Sequence, residues 1–212
     1  MYQYFEFLTK LDWTGTLSAI AAVWVAIIAT YALGQWKKQI KLQKQVDFID
    51  KLTDEVHEFM LAASPVVSSI KFTKIGFESY KGARTNYKNI ENNNAISFIE
   101  SRGKESSDRM ISYIEPLRKI VGKMKSLTVK GQIYGIENYD KCQHAISVIE
   151  HVYRQMESFA YFIGNTNLEW ENPEVQRALN SVVQIDTDLI DRNLSEQNTA
   201  YLLFAQDLYK QI

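Results

Sequence analysis

Thiol chemistry has almost no place in this chain. Its 212 residues include one cysteine, Cys142, which excludes an internal disulfide framework and a thiolate-rich zinc site. Proline (3) and glycine (9) are scarce, too few for a turn-rich all-β protein. Neither sign of charge is in excess: 24 Lys/Arg stand against 25 Asp/Glu, net −1. The whole composition therefore marks neither a nucleic-acid binder nor an acidic disordered tail. A hydrophobic content of 46% with 12% aromatics excludes a mostly disordered chain. The mean hydropathy of −0.25 is ordinary, but it averages over a very uneven sequence.

From Thr14 to Trp36 there is no charged side chain, and the nearest charges are Asp12 and Lys37. These 23 residues would extend roughly 34 Å as a helix, enough for a hydrocarbon core of about 30 Å. Trp13 and Trp36 mark the two ends, where amphipathic rings favour the membrane interface. A cleaved signal peptide is not expected: the preceding residues are not basic and no small-x-small site closes the run. Lys37, Lys38, Lys41 and Lys44 follow the span, whereas Glu6, Lys10 and Asp12 precede it. The positive-inside rule then puts the N-terminus outside the inner membrane and the rest in the cytoplasm. A lone free cysteine agrees with a reducing compartment. Within the span, Ser18, Ala22, Ala26 and Thr30 recur at i+4. Small residues so spaced let helices approach closely in lipid and could line a pore. The competing reading is that such residues are simply common in spans.

Beyond Trp36 there is no Gly or Pro until Pro65. Leu42, Ile49, Leu52, Val56, Phe59 and Ala63 follow a heptad seam, interrupted by Gln45. This predicts one helix from about 14 to 64, with Pro65 as its stop. Its seam packs either on a second chain or on the chain's own domain. Further helices are predicted at 66–90, fraying at Gly76 and Gly82, and at 95–101. Others are predicted at 108–127 (capped by Ser107-Asp108 and bent near Pro116), 136–163, 173–191 and from 195 onward. Residues 91–94 read as a loop. Asn172-Pro173-Glu174 is a strong helix start: an Asn cap, Pro in the first turn, and an acid at the dipole's positive end. The fold class is all-α. Three regions are expected: 1–36 with the span, 37–64 as a juxtamembrane helical stalk, and 65–212 as a cytosolic helical domain.

Charge is sharply divided along that domain. Residues 37–130 carry 18 Lys/Arg against 11 Asp/Glu, and residues 131–212 carry 5 against 12. Lys71, Lys74, Lys81, Arg84 and Lys88 form one basic cluster. Arg118, Lys119, Lys123, Lys125 and Lys130 form another, preceded by Arg102, Lys104 and Arg109. Three readings compete: contact with anionic lipid, pairing with the acidic half of the same or a neighbouring subunit, or binding of RNA or a nucleotide. Tyr80, Tyr87, Tyr113 and Tyr134 lie among these cations and could stack on bases.

No metal or catalytic site is expected. His144 and His151 are separated by two helical turns, about 10.5 Å, too far to share an ion. There is no phosphate loop, nucleophile elbow or HExxH. Residues 191–198 read Asp-Arg-Asn-Leu-Ser-Glu-Gln-Asn, at the expected junction of the last two helices. The run resembles the Arg-Asn…His signature of HEPN-type ribonuclease domains, which are small helical bundles. Arg192 and Asn193 match, but Gln197 or Asn198 stands where the His would be. Neither amide titrates near neutral pH, so neither can move a proton. One N-terminal span, a cytosolic helical bundle and this degenerate motif resemble the single-pass accessory proteins of RNA-targeting type VI-B CRISPR systems. The resemblance implies an oligomeric pore acting in anti-phage defence, without ribonuclease activity or cofactor. The alternative is a membrane-tethered module that binds RNA, a nucleotide messenger or a partner protein through its basic half.

The topology has a direct test. A reporter active only in the periplasm, fused after Ile212, is expected to give no signal. A strong signal would reverse the orientation.

Overall fold

In a computed structural model, the structure describes residues 13–80 and 90–211. It is all-α, with no strand among the described residues. The helices are α1 (Trp13–Ser79), α2 (Ile90–Phe98), α3 (Lys104–Gly131), α4 (Tyr139–Gly164), α5 (Pro173–Val183) and α6 (Thr187–Gln211). A π turn, Ile99–Gly103, joins α2 to α3, and a short 3₁₀ turn, Gln132–Tyr134, follows α3. The chain divides into two compact units, Met1–Gln45 and Val46–Ile212. The expected boundary at 64/65 therefore falls in mid-helix, inside the second unit.

The first unit holds a helix long and apolar enough to cross a membrane, and none of its apolar stretch is buried. Leu17, Val23, Trp24, Ile27, Ile28 and Tyr31 are all more than half exposed. Thr30, one of the polar residues of the span, turns its hydroxyl back to donate to the Ala26 carbonyl at 2.8 Å. This is how a hydroxyl is satisfied without water.

In the second unit the α1 seam packs on the chain's own bundle. Ile49, Leu52, Val56, Phe59 and Ala63 are buried, so residues 49–63 are core and not a free stalk. The seam then continues through Val66, Val67, Ile70, Thr73 and Phe77. Pro65 accordingly does not stop the helix, contrary to expectation. A proline inside a helix costs about 3 kcal/mol. Burying Val66, Val67, Ile70 and Phe77 contributes roughly 1.5–3 kcal/mol each, so packing wins. Pro65 also lies on the exposed face, where water can reach the backbone it disrupts.

The other departures have similar causes. Residues 91–94 lie inside α2, not in a loop. Asn is a mediocre helix former, but Ala95 and Ile96 are fully buried beside it, and Asn92 Nδ2 donates to Asn180 Oδ1 at 2.9 Å. Helix α1 passes Gly76 without fraying, and the Phe98 ring lies 2.5 Å from where a Cβ would be, a close approach that glycine allows. Gly82 lies outside the described residues. Ser107 is not a cap. It is buried inside α3, where its small side chain meets Gly164. Helix α5 stops at Val183, and Asp186 caps α6 by accepting from Asp188 N and Leu189 N at 2.9 and 3.0 Å. The Asn172 cap forms as predicted, accepting from Glu174 N at 2.9 Å.

Helix α3 packs on α4, and α4 on α6. Between α3 and α4 the chain turns at Gly135 and Asn138, with φ of 59° and 54°, residue types that tolerate the left-handed region. Tyr201 of α6 is fully buried against α1. Its hydroxyl shares a 2.9 Å hydrogen bond with Thr53 Oγ1 and donates to the Ile49 carbonyl at 3.3 Å. Burial, the largest effect, raises the pKa of its phenol.

Two glycines of this bundle give opposite expectations. A Cβ at Gly103 would sit 2.2 Å from the Ile163 carbonyl oxygen. Gly103→Ala is expected to destabilise the protein by about 1–3 kcal/mol. Gly122, inside α3, has nothing within 4 Å of a Cβ, so Gly122→Ala is expected to stabilise it by roughly 0.5–1 kcal/mol. Denaturant unfolding of both variants in detergent measures the difference.

Candidate functional site

The basic surface predicted on α3 is largely consumed within the chain. Arg118 Nη2 donates to Glu157 Oε1 and to the Tyr161 hydroxyl, each at 2.8 Å, and Tyr153 donates to the same carboxylate oxygen at 2.7 Å. Lys125 pairs with Glu150 at 3.1 Å, and Lys123 with Glu55 at 2.9 Å. The hydrogen bond to Glu55 raises the Lys123 pKa. Of the first cluster, Lys71 pairs with Asp188 at 3.6 Å and Lys74 donates to the Ile185 carbonyl. Lys81, Arg84, Lys88 and Tyr87 lie outside the described residues. Lys119 and Lys130 remain on a shallow groove of about 460 Å³ between α1 and α3, with Lys51 and Lys123. The pairing observed is thus mainly with the acidic half of the same chain.

The HEPN-like residues are not at a junction. Arg192, Asn193 and Asn198 all lie inside α6, because that helix starts at Thr187 and not near Ser195. Arg192 is exposed, and Asn193 and Asn198 are half-buried. Asn193 lines a groove of about 760 Å³ between α4, α5 and α6, where His151 and Arg154 also lie. No group of three or more His, Cys, Asp or Glu that could hold a metal occurs among the described residues. Burial pushes the Cys142 thiol up to about 12, leaving it without thiolate character near neutral pH.

The structure assembles one constellation that the sequence did not announce. Phe72 of α1 and Tyr113 of α3 border a cleft of about 480 Å³ whose wall includes Arg102 of the π turn and Arg109 of α3. Phe72 is 73% exposed and Tyr113 41%. Arg109 pairs with Glu105 at 3.1 Å, whereas Arg102 has no ionic partner among the described residues. Ser69 and Ser106 add hydroxyls to the wall. Arg102, Arg109 and Tyr113 had drawn notice as neighbours in a basic stretch. Phe72 had not, because it lies off the buried seam in a segment expected to fray. Its off-seam position in a helix continued past Pro65 was the available signal.

Ser18, Ala22, Ala26 and Thr30 follow one another at i+4 along α1. All four are exposed, as are the aliphatic residues around them. No family model, curated protein or solved structure matches this chain.

The ion pairs allow a contrast between cations. Glu55 keeps only 15% of its side chain exposed, and its Oε2 is buried without a hydrogen-bond partner among the described residues. Removing Lys123 would leave that carboxylate unpaired, which is costly. Lys123→Met is expected to lower the unfolding midpoint and Lys119→Met to leave it unchanged, as followed by circular dichroism.

Proposed function

We propose that this chain is a single-pass inner-membrane protein that associates with copies of itself and permeabilises the bilayer. The observation that carries the reading is the apolar stretch of α1, no part of which is buried by its own chain. Exposed Leu17, Ile20, Val23, Trp24, Ile27 and Ile28 are unfavourable in water and at home in lipid. Hydrocarbon supplies no hydrophobic drive between helices, so association in the bilayer depends on close packing. Ser18, Ala22, Ala26 and Thr30 present the small face that such packing needs. A ring of spans would turn this face toward a central path and the aliphatic face toward lipid. No charged residue lies between Thr14 and Trp36, so a path of this kind would select poorly by charge. The four lysines from Lys37 to Lys44 support a cytoplasmic C-terminal domain. Anti-phage defence, as an accessory to an RNA-targeting CRISPR system, is the setting we propose from the resemblance in architecture. No catalytic role belongs to the reading, since an amide, Gln197 or Asn198, stands where the motif's His would be.

The experiment is a set of substitutions within the span. Ala22→Leu and Ala26→Leu keep it apolar, so insertion is expected to be unchanged. Each larger side chain holds neighbouring backbones apart. Both variants are expected to lower the mass of the detergent-solubilised complex and to reduce dye leakage from loaded vesicles. Ile27→Leu, on the aliphatic face, is expected to do neither. Three variants that assemble and leak like wild type would remove the stripe as an interface. A wild type that assembles but never leaks would leave a tethered assembly without a pore.

A further inference from the structure

We propose that the cleft between α1 and the start of α3 binds a nucleoside phosphate, with the base between Phe72 and Tyr113 and the phosphate on Arg102. Four observations converge there. First, Phe72 is 73% exposed in a helix whose other face is core down to Phe77. Its ring is left largely to solvent, and Tyr113, 41% exposed, is a second aromatic ring lining the same cleft. Stacking on aromatic rings is how bases are held without a base-specific code. Second, Arg102 is exposed and has no ionic partner among the described residues. Guanidinium is the side chain best shaped for bidentate contact with phosphate. Arg109 is engaged by Glu105 at 3.1 Å, so the cleft offers one unengaged fork beside a compensated one. That charge suits a small phosphate better than a polyanion, for which several free cations would be expected.

Third, Arg102 stands on the π turn Ile99–Gly103. Such turns interrupt helices rarely and often at functional sites. This one is fixed from behind, since Gly103 lies against the Ile163 carbonyl and Glu100 accepts from Trp170 Nε1 at 3.0 Å. Arg102 is thus presented from a held backbone. Fourth, the volume of about 480 Å³ falls within the range of small-molecule sites, and the hydroxyls of Ser69 and Ser106 can serve a ribose or phosphate. The site goes beyond the membrane reading and stands or falls separately from it.

The test is calorimetric titration of the full-length protein in detergent with AMP, and with adenosine, inorganic phosphate and a short single-stranded RNA as comparators. AMP is expected to bind more tightly than adenosine or phosphate, because each of these lacks one half of the contact. Arg102→Ala is expected to weaken AMP binding about tenfold or more, and Phe72→Leu about tenfold. Both side chains are exposed, so both variants should keep the wild-type unfolding midpoint. AMP binding that is unchanged in both variants would overturn the proposal. So would phosphate binding as tightly as AMP, RNA binding without AMP binding, or no AMP binding near a concentration of about 1 mM. Complex mass and vesicle leakage report on the membrane reading and are not expected to change in either variant.

Discussion

The second unit depends on one seam. Ile49, Leu52, Val56, Phe59, Ala63, Val66, Ile70 and Phe77 run down α1, and each is at most 4% exposed. Every neighbouring element is fitted to that line. Phe98 of α2 leaves room only for a glycine at position 76. Phe159 of α4 stacks at an angle on Phe77, with centroids 6.3 Å apart. Tyr201 of α6 brings a hydroxyl into the core and is accepted because Thr53 and the Ile49 carbonyl receive it. A proline in mid-helix survives because the seam continues beyond it. Local rules about breakers hold only when no larger burial opposes them.

That contest explains what could be read from the sequence. The apolar run, the all-α class and the Asn172-Pro173-Glu174 start depend on neighbours in sequence, and they were legible. The half of the heptad seam from Ile49 to Ala63 was visible too, but its partner was not, because apolar spacing does not say whose surface covers it. The stop at Pro65 and the loop at 91–94 were misread from local propensity. In both places the deciding contacts come from far along the chain, as with Asn180 reaching Asn92. The last helix junction was misplaced because Asp186 caps α6 at Thr187, and the helix runs on without a break through Ser195.

Charge shows the same division between local and distant information. The change of sign between residues 37–130 and 131–212 is plain in sequence, yet its meaning needed the fold. Glu150 and Glu157 of α4 face α3 and take Lys125 and Arg118, while Glu55 of α1 takes Lys123. These pairs are partly shielded on the acidic side, so removing a cation leaves a half-buried carboxylate without its partner. What remained of the second basic cluster after this pairing was Lys119 and Lys130, beside Lys51 along a shallow groove without aromatic rings.

A helix that gives one face to a core must do something with the other. On α1 of the second unit the outer face carries Leu61, Pro65, Ser68, Phe72 and Ile75, spaced by threes and fours. Leu61, Phe72 and Ile75 are all more than half exposed. Isolated apolar residues on a surface need no explanation. Phe72 differs because it lines one cleft with Tyr113 and with Arg102, which has no ionic partner among the described residues. An aromatic ring there has little to stabilise in the bundle itself, and Leu or Lys would serve the helix as well. Packing therefore accounts for the residue types of the inner face, whereas packing alone does not account for an exposed ring at position 72.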